Sequence, residues 1–152
     1  MELDEMNIAH SVVVDAPADL LYDMIADVTR MGEWSPACVG ATWDDGAGPT
    51  VGSWFTGHNK VGDHEYDARC EITAAERPTT IAWMQRGRDD GFTEWRYSFA
   101  PVDGGTEVTE SWTLLRAFPS DRVPEDRVQM MIDNFGNGIR ETLDSFKAAA
   151  EA

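Results

Sequence analysis

Cysteine, lysine and long apolar runs are what this 152-residue sequence has least of. Its two cysteines, Cys38 and Cys70, are too few for a disulfide framework and form no CxxC pair, so both read as reduced structural thiols. No stretch approaches the ~20 apolar residues of a membrane span, which argues against membrane insertion. The opening Met1-Glu2-Leu3-Asp4-Glu5 is acidic where a secretory signal would be basic and then apolar, and a soluble cytoplasmic domain is expected. Basic residues are scarce too: 12 Lys+Arg, two of them lysines, stand against 28 Asp+Glu, a formal net charge of −16. Such a surface repels phosphate backbones and anionic headgroups alike, so nucleic acid and anionic membranes are poor partners. It also disfavours self-association through polar contacts, which leaves a monomer or a weak homodimer.

Catalytic signatures are sparse as well. There is no GxSxG nucleophile elbow and no P-loop, and Gly46, Gly48 and Gly52 fail GxGxxG because Val51 stands in the third glycine's place. His58, Asp63, His64 and Glu65 lie close together, but their spacing matches no zinc motif and the turn at Val61-Gly62-Asp63 would splay them. No metal and no cofactor is therefore expected.

What the chain does have is enough apolar material, 42 % hydrophobic and 10 % aromatic residues, for one sizeable core, and residues 1–152 read as a single domain. Asn7 to Asp15 alternates, with Ile8, His10, Val12 and Val14 on one face, and predicts a strand. Pro17 sits where a first helical residue would, followed at helical spacing by Leu21, Met24, Ile25 and Val28. Thr29 is placed to cap a second short helical turn ending near Trp34-Ser35-Pro36. Six β-like runs follow, near Val39–Trp43, Ser53–Asn59, Glu65–Thr73, Thr80–Gln85, Thr93–Ala100 and Thr106–Leu115, separated by turn-formers such as Arg88-Asp89-Asp90-Gly91 and Asp103-Gly104-Gly105. From Pro124 onward Val128, Met131, Ile132, Phe135, Ile139, Leu143 and Phe146 form one helical stripe, roughly 39 Å long at 1.5 Å per residue. Gly136 and Gly138 inside it each cost up to ~1 kcal/mol relative to alanine, which implies either a close approach to the backbone there or packing against a neighbouring strand. Hairpin-length connectors make the sheet antiparallel, and one long helix across its concave face gives an α+β class.

The chain resembles the START-like, or SRPBCC, superfamily. The resemblance rests on Asp15-Ala16-Pro17-Ala18, the helix closing on Asp27-Val28 and Trp34, and Gly52-Ser53-Trp54-Phe55-Thr56-Gly57-His58-Asn59. It continues through Gly104-Gly105-Thr106-Glu107-Val108-Thr109 and the final helix running into Leu143-Asp144-Ser145-Phe146-Lys147. Within that superfamily it is most similar to the bacterial polyketide cyclase/dehydrase and lipid-transport group. The resemblance implies a helix-grip fold: a curved seven-stranded antiparallel sheet wrapped around a long C-terminal helix, two short helices after strand 1, and an apolar cavity. It does not fix an activity, because this scaffold hosts ligand carriers, cyclases, hydrolases and chaperone regulators.

Strand parity predicts the cavity wall. With Asp103-Gly104 at the centre of the last hairpin, Phe99 faces Val108, Tyr97 faces Glu110 and Trp95 faces Trp112, all on one face. Glu110 is the anomaly on that aromatic face. A desolvated carboxyl there, beside the Tyr97 hydroxyl, suits general acid–base work, and equally suits a carboxyl at a cavity mouth that does no chemistry. The same parity puts Tyr66, Ala68, Cys70 and Ile72 inside on one strand and Ile81, Trp83 and Gln85 on another. For Ser53 to Asn59 we prefer Phe55, Gly57 and Asn59 inside over Trp54, Thr56 and His58, and Met131 and Phe135 complete the lining from the helix. Six tryptophans exceed what a core of this size needs and suit an aromatic ligand, with Trp34 before Pro36 placed to close the mouth.

Candidate ligand-binding residues are thus Trp34, Phe55, Asn59, Tyr66, Trp83, Trp95, Tyr97, Glu110, Trp112, Met131 and Phe135, and candidate catalytic residues are Glu110 and Tyr97. Three functions compete. The first is binding of a hydrophobic, ring-bearing or lipid-like small molecule, and the second is a polyketide cyclase/dehydratase-type enzyme. The third is a partner-binding module of the chaperone-regulator kind, whose surface rather than cavity would matter.

Overall fold

Alternating burial runs through the strands of this chain, and a single amphipathic helix closes them. The computed structural model describes residues 7–116 and 125–152. The elements are β1 (Asn7–Val14), α1 (Ala18–Ala26), a 3₁₀ segment (Val28–Glu33), β2 (Cys38–Trp43), a short 3₁₀ turn (Asp44–Gly46), β3 (Trp54–Val61) and β4 (His64–Glu76). They continue with β5 (Thr80–Gln85), α2 (Gly87–Asp90), β6 (Thr93–Val102), β7 (Gly105–Leu114) and α3 (Glu125–Glu151). The seven strands form one sheet in the order β1-β7-β6-β5-β4-β3-β2, antiparallel throughout. Strands β2 to β7 are the expected meander. The first strand closes onto the last, from Asn7 opposite Thr113 to Val14 opposite Thr106.

The hairpin between β6 and β7 has the register that its turn residues predict, with Val102 opposite Gly105 and Tyr97 opposite Glu110. Gly105 adopts φ +138°, and a Cβ there would lie 2.0 Å from the Val14 carbonyl oxygen. No side chain fits where β1 leaves the sheet. The inner face of the sheet meets α3 through Ile139, Leu143 and Phe146, all at most 2 % exposed. At the far end of the helix Lys147 donates to the Val13 carbonyl (2.7 Å) and to Glu151 (2.6 Å), and Glu151 accepts from the Asp15 N–H (2.9 Å). These bonds tie α3 to the end of β1.

Four local expectations need correction. Pro17 is the N-cap of α1, with extended backbone, rather than its first helical residue. The cap of the 3₁₀ segment is Asp27, whose carboxylate accepts from the Thr29 N–H, so Thr29 receives the cap bond instead of making it. The run Arg88-Asp89-Asp90-Gly91 belongs partly to the helical turn α2, whose cap Arg86 and first residue Gly87 both have positive φ. Strand β4 runs on to Glu76 through an irregularity between Ile72 and Ala74, which brings Ala75 opposite the inner-face residue Ile81. Met1 to Glu5, Pro124 and the side chain of Val128 lie outside the described residues.

The two helix glycines separate. A Cβ on Gly136 would stand 3.7 Å from both Ile8 Cγ2 and His10 Nε2, so its neighbour is strand β1, whereas Gly138 faces open space.

Candidate functional site

Parity on three adjacent strands builds a row of polar side chains on an otherwise apolar face. On β7, Val108 (0 % exposed), Glu110 (4 %) and Trp112 (2 %) point inward. Tyr97 on β6 stands directly opposite Glu110 on one side, and His10 on β1 stands directly opposite on the other. The Tyr97 hydroxyl donates to the Glu110 carboxyl. The other carboxyl oxygen, Oε1, is buried without a hydrogen-bond partner among the described residues. An unmatched buried carboxyl oxygen costs about 1–3 kcal/mol, so its presence calls for an explanation.

Burial drives the protonation states. It pushes the Glu110 carboxyl up to about 8, against the pull of the Tyr97 hydrogen bond. The Tyr97 hydroxyl is raised well above its ordinary range by burial, with the Glu110 charge adding to it. Both groups therefore carry protons at neutral pH: one is a carboxylic acid, the other a phenol. His10 is half-buried and accepts from the Arg140 Nε at 3.3 Å, and burial followed by the Arg140 charge lowers its pKa.

Aromatic rings surround this row. Phe55 meets Trp83 edge-on at 5.5 Å, and Trp83 lies 5.7 Å from Tyr97. From α3, Phe135 packs on Trp112 at 4.9 Å and meets Trp95 edge-on at 5.7 Å. Phe135, Met131 and Trp95 are only half-buried, in contrast to Phe55, Trp83 and Trp112. Beyond the rings, Cys38 and Cys70 are free thiols, and burial pushes Cys70 up to about 12 and raises Cys38 as well. Such thiols stay protonated and unreactive. Gly57 lies opposite Ala68 and leaves room beside the Cys38 sulfur, which would be 3.9 Å from a Cβ.

Three sequence-predicted residues lie away from this cluster. Trp34 is 3 % exposed and packs into the core, with Phe146 edge-on at 5.1 Å and the Arg30 guanidinium over its ring. Tyr66 is 43 % exposed and stacks on His64 in the β3–β4 hairpin. Asn59 is half-buried, bonded to the Gly57 carbonyl of its own strand. With Val39, His58, Glu65, Tyr66 and Asp67 it lines an open hollow of about 460 Å³ at that hairpin. A second open hollow, about 320 Å³, lies beside Tyr22, Asp23, Trp43 and Arg77. Neither hollow is the expected space under α3. Among the described residues no group of three or more His, Cys, Asp or Glu side chains could hold a metal ion. His58 pairs instead with Asp67 at 2.8 Å.

In the sequence His10 stands out only as one residue on the alternating face of the first strand. Its place beside Glu110 depends on β1 pairing with β7, about a hundred residues away, and no local pattern announces that pairing. Arg140 was missed for the same reason.

The chain matches the family described as polyketide cyclase / dehydrase and lipid transport over residues 5–151. The chain belongs to that family. A polyketide-cyclase-like protein of Corynebacterium glutamicum, solved by NMR, is 32 % identical over 94 % of this chain and 90 % of its own, with a TM-score of 0.64. The di-domain ARO/CYC protein StfQ of the steffimycin biosynthetic pathway matches 98 % of this chain with 52 % of its own, at 14 % identity and a TM-score of 0.73. The major latex-like protein 151 of Panax ginseng covers 95 % of this chain and 96 % of its own, at 13 % identity and a TM-score of 0.71. The last two likenesses show the fold alone. No curated protein matches the chain. Among the described residues no helix is long and apolar enough to cross a membrane.

Proposed function

We propose that the chain binds a hydrophobic, ring-bearing small molecule between the inner face of the sheet and α3, with Glu110 and Tyr97 as its polar anchor. The observation that carries this reading is the buried Oε1 of Glu110, unpartnered among the described residues and set among aromatic rings. A ligand polar group supplies the missing bond, and rings give stacking surfaces worth about 0.5–1.5 kcal/mol per pair beyond burial. Phe135 and Met131, half-buried on α3, are the wall that yields to admit it. Membership of a family described by both polyketide cyclisation and lipid transport supports this chemistry.

A second reading is acid–base catalysis on a polyketide-like substrate. It is favoured by one feature, a carboxyl pushed up to about 8 beside a phenol in a dry site, which is how a general acid or base is tuned toward neutral pH. The two readings part on Glu110→Gln. As a carrier, the variant keeps ligand affinity within about tenfold, ~1.4 kcal/mol. As an enzyme, it loses ~100-fold or more in turnover while binding persists.

Comparing native and denaturing mass spectra of freshly purified protein is the direct test. A discrete mass released on denaturation, and absent from a Phe135→Trp variant that narrows the site, supports the enclosed ligand. A ligand retained equally by a variant filled at both Phe135 and Met131 refutes the location.

A further inference from the structure

Glu110 has two cross-strand neighbours, and Tyr97 accounts for only one of its oxygens. The other neighbour, His10, lies on the opposite flank, and Cβ atoms of directly opposed residues stand about 4.5–5.5 Å apart in an antiparallel pair. That is close enough for one small hydroxyl-bearing group to bridge imidazole and carboxyl. Along β7 the inner neighbours of Glu110 are apolar, Val108 and Trp112, so they cannot supply a partner.

The protonation of His10 follows from its contact with Arg140. Its Nε2 lies 3.3 Å from the Arg140 Nε, which carries a permanent N–H, so Nε2 is the acceptor and the ring proton sits on Nδ1. Gly136, one turn before Arg140 on the same side of α3, makes this contact possible. Without a side chain there, the helix lies close to Ile8 and His10 and delivers Arg140 onto the ring. Facing the imidazole are the charged Arg140 of α3 and, opposite it in the strand register, the titratable Glu110 of β7. Were the imidazole charged, it would draw the proton from Glu110 and form an ion pair, and a guanidinium at 3.3 Å opposes that charge.

We propose that Arg140 and His10 form a second polar layer beside Glu110, in which Arg140 holds the imidazole neutral with its proton on Nδ1, and the imidazole and Glu110 Oε1 together bind one hydroxyl group, of water or of the ligand. The inference rests on Glu110 being the ligand's polar anchor, and it narrows that ligand to a ring compound carrying a hydroxyl. A hydroxyl both accepts from Nδ1–H and exchanges a hydrogen bond with the carboxyl, which an ether or a hydrocarbon cannot do.

The tests use ligand-free protein, so they fail separately from the ligand-binding reading. Ring ¹⁵N shifts of the three histidines report tautomer and charge in the wild-type protein without any variant. His10 is expected as the neutral Nδ1–H form at pH 7; an Nε2–H form or an imidazolium overturns the proposal. Carboxyl ¹³C titration then follows Glu110. Arg140→Gln is expected to raise the His10 midpoint and to lower that of Glu110 by about one pH unit, because the newly charged imidazole pairs with the carboxylate. Direct loss of the Arg140 charge acts the other way and raises the Glu110 midpoint, so a rise or no change overturns the proposal. In the double variant His10→Phe/Arg140→Gln the downward shift disappears, and its persistence would show that His10 does not carry it.

Discussion

Glu110 is buried at 4 % exposure and pushed up to about 8, so the folded protein holds a proton that the unfolded chain releases near the ordinary carboxyl value of 4.5. The sign follows directly. Between about pH 4.5 and 8 the native state binds more protons than the unfolded one, so stability falls as pH rises through that window and levels off above it. One such group contributes a slope of at most about 1.4 kcal/mol per pH unit. Glu110→Gln removes the titration while keeping the shape. Urea unfolding at pH 5, 7 and 9 is expected to show a shallower decline in the variant and a more stable variant at pH 9. Parallel curves would mean that Glu110 does not carry its proton in the fold. This pairing was legible in the sequence, because a two-residue turn at Asp103-Gly104 and strict alternation put Tyr97 opposite Glu110. The environment of Trp34 was not, because a tryptophan before a proline reads the same whether a helix end covers it or solvent does.

The elements show where backbone freedom matters and where it is spare. Gly105 lies at φ +138° with the Val14 carbonyl where its Cβ would go, so Gly105→Ala should destabilise by more than ~2 kcal/mol. Gly138 sits in the interior of α3 facing open space, so Gly138→Ala should stabilise by up to ~1 kcal/mol through helix propensity alone. Urea midpoints measured side by side check both, and a loss at Gly138 would reveal a backbone approach that the fold does not contain. The amphipathic stripe of α3 and the strands of the meander were readable because each has a strong period of its own. The helical turn at Gly87–Asp90 was not, since four residues rich in Gly and Asp have the composition of any turn.

At the scale of the molecule, charge outweighs every individual ion pair. Salt bridges such as Arg30–Glu33 and Arg77–Asp23 lie between largely exposed side chains and contribute little. A net charge of −16 over 152 residues opposes compaction by self-repulsion, and salt screens that repulsion within a Debye length of about 8–10 Å at 0.1–0.15 M. The melting temperature is therefore expected to rise as NaCl increases from about 10 to about 150 mM. A fall on adding salt would mean that attractive pairs outweigh the net charge.

Periodicity, turn chemistry and one short hairpin were enough for the sequence to determine the strands, the long helix, the α+β class and the facing of Tyr97 and Glu110. All of these depend on residues near one another in the chain. Tertiary structure alone decided what depends on distant segments meeting. It closed β1 onto β7 and so placed His10 opposite Glu110, set Arg140 against His10 across Gly136, drew Trp34 into the core against Phe146, and left Tyr66 exposed on the β3–β4 hairpin. Burial of a carboxyl is the sum of such meetings, which is why its unmatched oxygen could be seen only in the folded molecule.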